Sequence, residues 1–202
     1  MSDPQGNFWR VKPGEQAPTW NIANMVTVVR VILIPLFIWA FWEPEPVGCG
    51  LIAFAIFALA AGTDKVDGQL ARSRNLITDF GKLGDSIADK GLIAVALIML
   101  SVHGMLWWWV TILVIAREVF ITAMRLSVVK KEVMAAGWHG KVKMAFQCLG
   151  AGCLIFPQYA WPWEWLTQLG LWIGWILVGV SLYMSLVSAV EYTRDARRIR
   201  GE

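Results

Sequence analysis

Asp64, Asp67, Asp85 and Asp89 stand in one segment, GTDKVDGQLARSRNLITDFGKLGDSIADK, which runs from Gly62 to Lys90. A helix continuing through Arg72, at about 100° per residue, sets Asp64, Asp67, Gly68 and Ala71 on one side. Gly68 has no side chain and Ala71 only a methyl, so a bulky ligand can approach the backbone there. On the next helix, Gly81, Asp85 and Asp89 recur every four residues along one ridge. The link Ser73–Phe80 is short enough to make the two helices antiparallel neighbours, so four carboxylates converge. Left alone they repel one another, and burial raises that cost. Hard divalent cations are the simplest neutralising partner. Oxygen donors suit Mg²⁺ or Mn²⁺, and no His or Cys is near enough to select zinc. Two such ions would clamp the attacking and leaving oxygens of a phosphoryl transfer. Any one of these aspartates alone would pass for a solvated charge at a helix end, which is how Asp79, off the pattern, is read.

The elements that must hold this cluster are apolar. Of the 202 residues, 57% are hydrophobic and 16% charged, which is far from the make-up of a soluble domain. Crossing about 30 Å of hydrocarbon takes roughly 20 apolar residues. The pattern predicts an all-α polytopic membrane protein with six spans, near Met25–Trp42, Gly50–Gly62, Leu83–Ser101, Met105–Val128, Lys143–Tyr159 and Leu166–Val190. The second span is short because its helix runs on into water with the aspartate motif. The stretch Thr19–Arg30 reads as an interfacial helix, with Thr19 as N-cap and a polar line of Asn24, Thr27 and Arg30. Residues 1–20 form a polar N-terminal segment without the apolar middle of a signal peptide. Residues 21–192 form the membrane domain and 193–202 a basic tail. Cys49, Cys148 and Cys153 have no spacing that suggests a disulfide framework or a zinc site.

Charge sets the orientation. The connections Glu43–Gly50, Ser101–Gly104 and about Phe156–Gly170 contain no Lys or Arg. The opposite set holds nearly all of them, including Lys65, Arg72, Lys82, Lys130, Lys131, Lys141, Lys143 and the arginines of the tail. By the positive-inside rule both termini and the aspartate segment are cytosolic. Trp39, Trp42, Trp107 to Trp109, Trp161, Trp163 and Trp165 fall at the outer ends of spans, as an aromatic belt does.

The run Asp64-x2-Asp67-Gly68-x2-Ala71-Arg72-x8-Gly81-x3-Asp85-x3-Asp89 resembles, at all eight defined positions, the signature of the CDP-alcohol phosphotransferases. The resemblance implies an integral membrane enzyme, usually a homodimer, that displaces CMP from a CDP-linked donor with an alcohol acceptor and uses divalent metal. It makes Asp64, Asp67 and Asp85 metal ligands, and Asp89 a ligand and candidate general base. Gly68, Ala71, Arg72 and Gly81 would line the CDP-donor site with Asn24 and Thr27.

The remaining cations bear on the acceptor. Arg117 and Glu118 lie inside the fourth span, where an ion pair that holds the bundle competes with a binding role. Arg125 lies nearer the cytosol on the face of Glu118 and Thr122. Lys141 and Lys143 flank a helix start beside Gly140, and helix N-termini favour anions. Arg117, Arg125, Lys141 and Lys143 are therefore candidates for an acceptor phosphate. With Asn24-x2-Thr27-x2-Arg30, these motifs resemble the bacterial branch of the family that transfers a phosphatidyl group from CDP-diacylglycerol to sn-glycerol 3-phosphate at the cytoplasmic membrane. Two positions depart from that branch: Ala23, where a Pro often stands, and Met144, where a Thr often stands. Serine, inositol phosphate or phosphatidylglycerol remain alternative acceptors, and a divalent-cation transporter is the alternative outside the family. Transporter sites usually lie near the bilayer midplane between internal repeats, whereas here the aspartates sit at one interface and no repeat is visible.

Overall fold

The computed structural model describes residues 21–42, 47–74, 79–128, 138–156 and 163–200. Among them are six helices and no strand: α1 Ile22–Trp42, α2 Val47–Arg74, α3 Asp79–Val102, α4 Trp108–Val128, α5 Trp138–Ile155 and α6 Glu164–Arg200. Each expected span lies largely within one of these helices. The aspartate motif indeed rides on a continuation of the second, since α2 extends through Arg74 without a break. The off-pattern Asp79 is the first residue of α3.

The N-terminal expectation changes in one respect. Asn21 caps α1, its Oδ1 accepting from the backbone N–H of Asn24 at 3.0 Å, as short polar side chains do at this position. Thr19 and the rest of residues 1–20 lie outside the described residues. From Ile22 on, the proposed interfacial segment is simply the first turns of α1, a single helix that also contains Pro35.

Among the described residues, two stretches are long and apolar enough to cross a membrane, Asn24–Trp42 of α1 and Glu164–Val190 of α6; Gly50–Thr63 and Val142–Ile155 are shorter apolar helices. Their outward faces are apolar too. Val28, Val29, Ile32, Leu36 and Trp39 of α1 are exposed, as are Trp107 to Trp109, Trp163, Trp165 and Trp172. Water would penalise so much contiguous apolar surface, whereas hydrocarbon and the headgroup layer favour it.

The chain divides into two compact units, residues 1–95 and 96–202. In the first, α1 and α2 meet through aromatic rings, Phe37 lying 5.5 Å from Phe41 and 5.9 Å from Phe57. Helix α3 comes close to α1 where it lacks side chains. A Cβ on Gly84 would stand 3.4 Å from Thr27 Cγ2, and one on Gly91 3.5 Å from Ile34 Cδ1. These contacts advance together along both helices, so α1 and α3 run parallel.

In the second unit, α5 and α6 approach still more closely. A Cβ at Gly150 would meet Val178 at 2.9 Å, and one at Gly174 would meet Leu154 at 2.8 Å. Small residues permit such contact, which drives helix association where the hydrophobic effect cannot. The turn between α3 and α4 is closed by Gly104 at φ 71°. Its N–H bonds Ser101 O at 3.1 Å, while the Met105 N–H bonds Leu100 O at 2.9 Å. That pairing is a Schellman closure, which needs a left-handed residue at this point. The Trp175 indole N–H donates to Met105 O at 2.9 Å and ties the turn to α6.

Candidate active site

The signature is divided between two helices. Asp64, Asp67, Gly68, Ala71 and Arg72 lie on α2, and Gly81, Asp85 and Asp89 on α3. Of the four aspartates only Asp89 has a described side chain. The convergence of all four, and the ligand roles of Asp64, Asp67 and Asp85, therefore fall outside the described residues, as do the contacts of Arg72.

Asp89 is held from a third helix. The Arg30 guanidinium of α1 donates through Nη1 to Asp89 Oδ1 at 2.8 Å. The Arg30 side chain is 0% exposed and that of Asp89 17%. Three residues before Arg30, Thr27 is buried against Gly84, next to Asp85; three before that, Asn24 is buried as well. The polar line on α1 thus turns inward along α3. This places one of the expected donor-site residues, Thr27, beside the helix that carries Asp85 and Asp89.

The second unit holds a separate polar group. Arg117 is buried and uses three donors: Nε to Ser185 O at 2.9 Å, Nη2 to Ser188 Oγ at 2.9 Å, and Nη1 to Glu118 Oε1 at 2.7 Å. Lys143 Nζ, also buried, pairs with the same Oε1 of Glu118. Glu118 therefore joins α4 to α5, while Arg117 joins α4 to α6. Among the described residues the group comprises two cations, Arg117 and Lys143, and one carboxylate, Glu118. Thr122 bonds back to Glu118 O at 2.7 Å within α4. Arg125 lies on α4 and Lys141 on α5, but their side chains are outside the described residues. Met144 is exposed whereas its neighbour Lys143 is buried, so this departure from the motif points away from the cluster.

Sequence reasoning gave no role to three features of these groups. Arg30 was visible as the end of a polar line, but not as a partner of Asp89. The ion pair of Arg117 with Glu118 was one of the two readings of those residues and is present, but Lys143 as a second partner of Glu118 was not foreseen. Ser181, Ser185 and Ser188 are all buried along α6, and their spacing of four and three is the signal that marks an inward polar stripe. Gln147, buried one turn beyond Lys143 on α5, has an amide Nε2 without a hydrogen-bond partner among the described residues.

Comparison with known proteins bears on the whole chain. The model of the CDP-alcohol phosphatidyltransferase family matches residues 20–183. The chain is 42% identical over 181 residues to a probable phosphatidylglycerophosphate synthase of Mycobacterium tuberculosis, a match that covers 88% of this chain and 82% of the relative. It is 35% identical over 187 residues to a CDP-diacylglycerol–glycerol-3-phosphate 3-phosphatidyltransferase of Shigella flexneri, covering 88% of this chain and 96% of the relative. The enzyme of that name from Salmonella typhimurium is 35% identical over 184 residues, with the same coverage.

Proposed function

Because the chain belongs to the CDP-alcohol phosphatidyltransferase family, we propose that it transfers the phosphatidyl group of CDP-diacylglycerol to sn-glycerol 3-phosphate, giving phosphatidylglycerophosphate and CMP. The observation that carries this reading is the likeness, over 88% of the chain, to relatives named for that reaction. The cations of the second polar group, Arg117 and Lys143, suit an acceptor that bears phosphate. Membership of a transferase family displaces the cation-transport reading.

The fold is read as six spans in the bacterial cytoplasmic membrane, with both termini and the aspartate segment in the cytosol, and as a homodimer. The donor's acyl chains lie in the bilayer and its head at the cytosolic interface. Asp64, Asp67, Asp85 and Asp89 would hold two divalent cations, Mg²⁺ or Mn²⁺. The donor set fits, being all carboxylate oxygen on two helices at spacings of three and four. When bound, the cations neutralise the pyrophosphate and the charge that develops as CMP departs.

The chain's own residues do the rest. Gly68 and Ala71 leave room for the CDP head, with Arg72, Gly81, Asn24 and Thr27 around it. Lys143, with Arg125, Lys141 and Arg117, receives the acceptor phosphate. The acceptor's primary hydroxyl attacks the β-phosphorus of the donor, its proton passes to the Asp89 carboxylate, and the P–O bond to CMP breaks. Catalysis of this kind is mostly positioning and electrostatics. The test is CMP release by purified protein from CDP-diacylglycerol, with glycerol 3-phosphate, serine, inositol phosphate and phosphatidylglycerol offered in turn. Glycerol 3-phosphate should be preferred by orders of magnitude; a better rate with serine would end the acceptor assignment and leave the family standing.

A further inference from the structure

We infer that Arg30 is the positioning residue for Asp89, fixing from α1 the direction in which that carboxylate meets the acceptor hydroxyl. This rests on the reading of Asp89 as base and ligand. The geometry is that of a backstop. The guanidinium is fully buried, while the carboxylate it touches at 2.8 Å keeps 17% of its surface exposed. Arg30 thus lies behind Asp89 as seen from solvent. The contact is also framed on both sides. Thr27 meets Gly84 before it, and Ile34 meets Gly91 after it, so two glycines of α3 admit α1 to the distance at which the guanidinium reaches Oδ1. Stability alone is a weak reason for such a pair, since well-packed apolar residues hold helices as well as a buried ion pair does. Holding one oxygen of Asp89 instead stops the rotation of its carboxylate, and a base must be aligned with the proton it takes.

The charge carries a second consequence that a structural role does not share. Arg30 adds a positive charge within a few ångströms of the cation site. Removing it should make the site more attractive to a divalent ion while making it a worse catalyst.

The test uses full-length protein in detergent with four variants: R30Q, R30K, D89N and the double variant R30Q/D89N. CMP release is measured with both substrates, and Mn²⁺ binding is followed by electron paramagnetic resonance without substrate. R30Q should lower kcat about 100-fold while KM for both substrates moves little. R30K should recover about tenfold of that loss, since an ammonium supplies the charge without the fork. The double variant should be no slower than D89N within about twofold, because Arg30 acts through Asp89. Mn²⁺ should bind to R30Q at least as tightly as to the parent. The inference is overturned if the R30Q and D89N losses multiply, if R30Q turns over at the parent rate, or if R30Q binds Mn²⁺ more weakly. If R30Q does not fold, R30K decides: turnover lowered with Mn²⁺ binding intact upholds the inference, and both lowered together overturn it. Should the parent protein prefer another acceptor, the acceptor reading fails, and the same cycle run with that acceptor still judges Arg30.

Discussion

Arg117 and Lys143 reach the same oxygen of Glu118. Arg117 also holds Ser185 and Ser188, so it acts as a bolt between α4 and α6. Arg117→Ala should lower the melting temperature of the purified protein by several degrees, because charged hydrogen bonds are worth about 1.5–3 kcal/mol each. Differential scanning fluorimetry would show it. Lys143→Ala should raise KM for glycerol 3-phosphate by roughly ten- to a hundredfold, with KM for CDP-diacylglycerol unaltered. Unchanged acceptor kinetics would remove Lys143 from the phosphate site. Asp67→Asn and Asp85→Asn should each cost orders of magnitude in rate, and a chelator should abolish activity that Mg²⁺ or Mn²⁺ restores. Full activity in metal-free protein would refute the two-cation site. At this scale the sequence was most legible where residue type and spacing carry the meaning, as in the eight-position signature. Partnerships were legible only between neighbours: the Arg117–Glu118 ion pair was one reading of those residues and is present, while Lys143 as the second partner of Glu118 was not foreseen. Arg30 and Asp89 are 59 positions apart, and nothing local announces their contact.

The helices themselves were legible because hydrophobic runs of this length have few other uses. Their ends were less so. Asn21 rather than Thr19 caps α1, since either short polar residue can serve and the choice depends on where the backbone first turns. How closely two helices approach is not written in either one alone. Gly150 and Gly174 matter because Val178 and Leu154 face them, and that register emerges only on packing. Gly150→Leu should therefore separate α5 from α6, and with them Lys143 from Glu118 and the serine stripe. The expected outcome is a large loss of thermal stability together with loss of turnover, whereas Gly62→Leu, with nothing within 4 Å of the added carbon, should leave thermal stability little changed. A melting comparison of the two variants would check it.

For the whole molecule, orientation is the property most open to test. If both termini are cytosolic, as proposed, single cysteines placed near residues 5 and 200 should resist a membrane-impermeant maleimide in intact cells and react after permeabilisation, and one placed at Gly104 should react in intact cells. Labelling at residues 5 and 200 from outside, with residue 104 protected, would invert the map. The length of α6 gives that map a mechanical side. Its apolar part, Glu164–Val190, has 27 residues and measures about 40 Å at 1.5 Å per residue, enough for hydrocarbon and headgroups together. The helix does not stop there. It continues to Arg200, which carries its end about 15 Å farther as a rigid rod. At physiological ionic strength, attraction between charges fades over about 8 Å. On the proposed topology the last turns of the α6 backbone would therefore stand off the lipid surface, as a stalk and not an anchor.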